Sequence, residues 1–183
     1  MSLISQNTHA YLLVPRGNLG RFILSEAERV KAAHGFGYVP STEAPSTYAA
    51  LLKAYEASER SGTPMPVSPA HCRHIIYTRP QLNWAFRFVH DVQHVTRDLT
   101  FTTADELEMG MYHLEALRAA GYRPESYEHQ LLHADTIGQT YCQALIGRFP
   151  YDQRQFAYDC LDFDIEAAVE LEAGRTGPSP NAG

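Results

Sequence analysis

The sequence predicts an all-α protein, a single-domain bundle of about five to six helices with an irregular N-terminal arm. Three observations carry that expectation. Apolar residues recur at helical spacing in successive segments, Gly, Pro and capping residues stand between those segments, and 183 residues with 44% hydrophobic content suffice for one core and are too few for two. Residues 1–20 read as the arm: polar at first, then apolar through Tyr11-Leu12-Leu13-Val14, where a short strand is one reading, then broken by Pro15, Gly17 and Gly20. The helical domain is expected over residues 21–173. Its first helix runs from about Leu19 to His34, with Gly35, Gly37 and Pro40 ending it. Ser46 to Ser61 forms the next, with Tyr48, Leu51, Leu52 and Tyr55 on one face and Lys53, Glu56, Glu59 and Arg60 on the other. Residues 61–69 carry three prolines and predict an extended connector.

Pro80 suits the first turn of a buried helix to about Arg97, along which Leu82, Ala85, Phe86, Val89, Val92 and Gln93 recur at helical spacing. Thr103 and Glu106 have capping-box spacing and open a helix to about Ala120, with Gly121 placed to be its C′ residue. A further helix is expected from about Pro124 to Ile146 and a last one from about Asp152 to Glu172, marked by Phe156, Leu161, Ile165, Ala168, Val169 and Leu171. Residues 174–183, which include Gly-Pro-Ser-Pro, read as a disordered tail.

Composition excludes several functions. A net charge of −6 and a pI near 5.8 argue against nucleic-acid binding through bulk charge, because the fifteen Lys and Arg residues are scattered. There is no run of eighteen or more apolar residues, so no membrane span is expected, and Met1 to Asn7 lack the basic and apolar segments of a secretory signal, which predicts a cytoplasmic location. Cys72, Cys142 and Cys160 are odd in number and widely spaced, a pattern of reduced thiols rather than of a disulfide framework. GxSxG, P-loop and GxGxxG motifs are absent.

The chemistry concentrates in Phe88-Val89-His90-Asp91-Val92-Gln93-His94. Residues four apart lie one turn apart on the same helix face, so His90 and His94 can turn both imidazoles to one point, as a metal requires. Asp91 lies about 100° round from His90 and reads as an edge ligand or as an acceptor that fixes an imidazole tautomer. Glu106 follows His94 after eleven residues, the distance needed to leave one helix, turn and enter the next. It has two competing jobs, metal ligand or helix cap. Glu106, Gly110 and His113 share one face of their helix, and a mid-helix glycine, which costs about 1 kcal/mol against alanine, predicts a close helix crossing there. His129 and His133 make a second pair with the same spacing. The Glu-x-x-His repeats of di-iron carboxylate bundles are absent.

The segment His90-Asp91-x-x-His94-x11-Glu106 resembles the HDxxH-x11-E zinc-ligand signature of the coenzyme Q biosynthesis family, over residues 90–106 only. That resemblance implies an all-α protein with a metal held by His90, Asp91, His94 and Glu106 and an apolar or quinone-like ligand nearby. The His90-Asp91 pair also resembles the core of HD-type metal-dependent phosphohydrolases, which implies two further ligands, His71 or His74 upstream and Asp159 or Asp162 downstream. The leading expectation is a metal-binding helical protein, a metal-dependent hydrolase or lyase acting on a small or apolar ligand, with zinc first and iron or manganese as alternatives. His113 and His129 are its candidate catalytic proton carriers. The competing expectations are an HD-type phosphohydrolase and a non-enzymatic protein-binding module whose histidines only hold helices together.

Overall fold

Two long helices set the frame. α1 (Leu13–His34) packs along α3 (Pro80–Arg97), and Leu19, Phe22, Ile23, Ala27 and Val30 join Leu82, Ala85, Phe86, Val89 and Val92 in one buried cluster. A Cβ on Gly20 would stand 2.7 Å from Leu82 Cδ1, so glycine at this crossing lets the two backbones come close. The computed structural model describes residues 9–177. Around the pair lie β1 (Tyr38–Pro40), α2 (Tyr48–Ser61), β2 (Met65–Val67), α4 (Thr103–Ala119), α5 (Tyr127–His133), α6 (Gln139–Ile146), α7 (Gln153–Asp162) and α8 (Ile165–Ala173). The fold is predominantly helical, as the periodicity predicts, and no helix among the described residues is long and apolar enough to cross a membrane.

Several elements differ from expectation for identifiable reasons. The proline-rich connector is extended, but Met65–Val67 also pairs in parallel with Tyr38–Pro40, and Met65 and Val67 are wholly buried. Residues 1–8 of the expected arm lie outside the described residues, and its remainder, where a strand was one reading, is a 3₁₀ turn (Ala10–Leu12) followed by the start of α1. Pro15 falls in the first turn of α1, where its missing N–H has no helical partner to lose. The last helix is two, because Asp164 accepts from Ala167 N–H (2.8 Å) and caps a new helix where Phe163 leaves helical geometry. Part of the expected tail is tied down: Arg175 pairs with Asp159 (2.6 Å) and with Glu172 (2.9 Å), while residues 178–183 lie outside the described residues.

The helix expected over 124–146 starts at Tyr127, capped by Ser126, and is interrupted by a π turn at Ala134–Gly138. The hydroxyls of Thr136 and Thr140 donate to the carbonyls of Leu132 and Thr136, competing with the backbone ladder where it widens. On α4 a Cβ at Gly110 would lie 2.6 Å from Ile137 Cδ1 and 3.4 Å from Thr136 Cβ. Gly110 is thus the close crossing that its sequence position predicts, and what crosses it is the π turn.

Candidate metal centre

The end of α3 fixes one imidazole. Asp98 adopts the left-handed conformation (φ 55°) and turns the chain back beneath the helix. Leu99 N–H then donates to His94 O (3.0 Å), and Leu99 O accepts from His94 Nδ1 (2.9 Å). A carbonyl only accepts, so His94 carries its proton on Nδ1 and presents Nε2. Phe101 packs edge-on against this ring, which is wholly buried.

The start of α4 then frees the carboxylate. Thr102 is the N-cap, its hydroxyl accepting from Asp105 N–H (3.2 Å), and Asp105 accepts from Thr100 N–H (2.9 Å). The cap is filled one residue earlier than expected, with Asp105 in the N3 place, so Glu106 has no capping duty. Its Oε2 lies 3.4 Å from His90 Nε2 and its Oε1 3.5 Å from His94 Nε2, while the two Nε2 atoms are 2.8 Å apart. One ligand atom from each of His90, His94 and Glu106 lies within 4.8 Å of the others.

These separations suit a metal. Bonds of about 2.1 Å at tetrahedral angles put neighbouring donor atoms about 3.4 Å apart. Each imidazole stands at about that distance from one Glu106 oxygen, Oε2 for His90 and Oε1 for His94, and the imidazole pair is short of it by about 0.6 Å. Two imidazoles and a carboxylate leave a coordination position open, the pattern of catalytic rather than structural zinc. The charges are arranged for a cation as well. Burial would raise the Glu106 carboxyl, yet the facing His90 and His94 rings, donating from Nε2 when protonated there, hold it far below the usual carboxylate range. Burial pushes His94 down, and its bonds to Glu106 and Leu99 outweigh this and raise it.

Three of the four predicted ligands converge, and Asp91 is outside the group. It lines the adjoining cavity with its carboxyl pushed up to about 6 by burial, against the pull of His90, His94 and Arg87. His113 touches His90, Nε2 to Nδ1 at 3.1 Å, and is 4% exposed; burial first, then the neighbouring imidazoles, hold it well below the usual histidine range. His129 does not join the group: it lines a separate pocket with His133 and Cys160. His71 and His74 line the same cavity as His90, but Asp159 is tied to Arg175 and Gln155, and Asp162 to His9.

The group opens on a cavity of about 1510 Å³, larger than the roughly 300–1,000 Å³ of most small-ligand pockets. Its walls mix apolar side chains such as Trp84, Phe101 and Phe149 with Arg87 and Asp135. Asp135 sits in the π turn, accepts from Gln139 Nε2 (2.6 Å) and Tyr77 OH (3.4 Å), and is pushed up to about 7 by burial. Asp135 follows His133 by two residues in the sequence and reads there as a carboxylate beside the His129–His133 pair, but the π turn brings it to the cavity lined by His90 and not to the pocket of that pair. Comparison of the chain with protein-family models, with curated proteins and with solved structures finds no match.

Proposed function

We propose that the protein holds one divalent metal ion between His90, His94 and Glu106, zinc first, and uses it in a hydrolase or lyase reaction on a small or apolar ligand admitted by the cavity. The observation that carries this reading is the release of Glu106 from helix capping, which leaves a partly buried carboxylate facing two imidazoles. Mixed nitrogen and oxygen ligation suits zinc, iron or manganese. An ion with an open position supplies Lewis acidity and lowers the pKa of a bound water to about 7. Trp84 and Phe101 supply apolar surface for a ligand beside the group, and Arg87 and Asp135 supply polar contacts. The ligand set is the one implied by the resemblance to the coenzyme Q biosynthesis signature, less Asp91.

The test is elemental analysis of the untagged protein before and after dialysis against a chelator. Close to one metal per chain is expected, lost to the chelator, regained on adding zinc and absent from His94→Ala. No metal as purified and none taken up would overturn the reading and leave these residues as an ion-paired helix contact.

A further inference from the structure

We propose that His113 is a positioning residue that accepts from His90 Nδ1 when a metal is bound and so supports the metal-binding tautomer of His90, with α4 placing Glu106 on the Nε2 side of that ring and His113 on the Nδ1 side. This rests on the metal reading above and adds to it a residue from outside the ligand set. Glu106 and His113 lie on one face of α4, separated by the Gly110 crossing, and both reach α3.

The argument is a count of ring protons. His94 has its proton on Nδ1, held by the Leu99 carbonyl. Its Nε2 is 2.8 Å from His90 Nε2, too close for two facing lone pairs, so in the metal-free chain one proton occupies that gap. A metal needs both lone pairs and therefore an empty gap. For a neutral His90 the ring proton must then stand on Nδ1, and the atom facing Nδ1 is His113 Nε2 at 3.1 Å. His113 must accept there, which places its own proton on Nδ1.

Packing holds the rings for this exchange. His90 and His113 lie near parallel, 21° between planes, and Phe86, one turn before His90 on α3, packs on both. His113 is buried behind His90 and is not among the residues lining the cavity, so it acts on the metal through His90. The role differs from the proton carrier expected from sequence, and it parallels the hydrogen-bonded partners that orient metal-ligating histidines elsewhere.

The experiment uses the full chain with zinc as probe. Zinc affinity is measured by competition with a chromophoric chelator for the wild type, His113→Leu and His113→Gln, with circular dichroism to show folding. His113→Leu is expected to bind zinc about 10- to 100-fold more weakly. His113→Gln, whose amide oxygen can accept from His90 Nδ1, is expected to recover part of that loss. Nitrogen-15 NMR of the imidazoles gives a readout that a merely structural role would not move: in the zinc-bound wild type His90, His94 and His113 should all carry their protons on Nδ1. A folded His113→Leu with wild-type affinity, or a zinc-bound wild type with His113 protonated on Nε2, would overturn the proposal. If His113→Leu fails to fold, His113→Gln and the NMR of the wild type still decide it. A wild type that takes up no zinc would instead remove the metal reading, and this inference with it.

Discussion

Gly110→Ala tests the contact between α4 and the π turn. The new methyl would lie 2.6 Å from Ile137 Cδ1, 3.3 Å from Ile137 Cγ1 and 3.4 Å from Thr136 Cβ. Carbon atoms prefer separations of about 3.5–4.0 Å, so the first contact is about 1 Å too close. Ile137 can swing its terminal carbon aside, but the other two contacts, at 3.3 and 3.4 Å, are to atoms nearer the backbone of the turn. Overpacking of this kind costs about 1–3 kcal/mol. Alanine returns about 1 kcal/mol of helix propensity, which leaves a net loss of about 0–2 kcal/mol. A chain of this size should melt lower by up to about 8 °C, at about 2–4 °C per kcal/mol. Ile137→Val removes the carbon in the closest contact. The double variant should therefore be more stable than the sum of the single effects predicts, by a coupling of about 0.5–2 kcal/mol in urea denaturation. Full stabilisation by Gly110→Ala, as at an exposed helical glycine, or strict additivity with Ile137→Val would refute the close crossing.

Two further outcomes follow from the site. Thr102→Ala removes the N-cap and should cost about 1 kcal/mol while leaving zinc stoichiometry unchanged; Glu106→Gln should sharply weaken zinc uptake with helix content intact, and a reversal of the two phenotypes in zinc analysis and thermal melts would return Glu106 to the cap. In chelator-treated protein the raised His94 stabilises below its unfolded value of 6.5 and loses that contribution as pH rises through its folded value, whereas the depressed Glu106 stabilises above 4.5 and loses its contribution as pH falls through its folded value. The stability lost in Glu106→Gln should therefore be greatest between pH 4.5 and 6.5 and shrink above, and a loss that keeps growing towards pH 9 would contradict the ion pair. Zinc should act in the opposite sense, its uptake rising with pH as the imidazole protons leave.

Legibility in the sequence followed the range of the forces involved. The helix from Pro80 to Arg97 was readable at both ends, because periodicity and an N1 proline are local signals. The cap of α4 was misplaced by one residue, since Thr102 with Asp105 and Thr103 with Glu106 have the same spacing and only the fold selects between them. Pro15, Gly17 and Gly20 imitate a break, yet Pro15 sits in a first turn and Gly20 against Leu82. The pairing of Tyr38–Pro40 with Met65–Val67 joins two three-residue strands across a helix, and prolines disguise both. The place of Asp135 on the cavity beside His90 is not legible in the sequence, because it depends on a π turn that forms against Gly110, far away in sequence.

The eleven residues between His94 and Glu106 explain why the site was more legible than the reaction. They complete α3, reverse at Asp98, return Leu99 beneath His94, cap at Thr102 and take one turn of α4. Residues 90–106 therefore supply all three donor atoms and the Leu99 anchor of one imidazole, while His113 and Phe86 contact the other. A unit so local can be read from its spacing, and such a spacing can sit on unrelated folds. His113, Asp135, Arg148 and Phe149 come from later elements, and Pro69 and Arg73 from an earlier loop. Those residues line the cavity or, in the case of His113, face His90. Whatever selects a ligand here is thus encoded in long-range packing, and variants at the cavity wall, with the zinc content held constant, are where specificity should change.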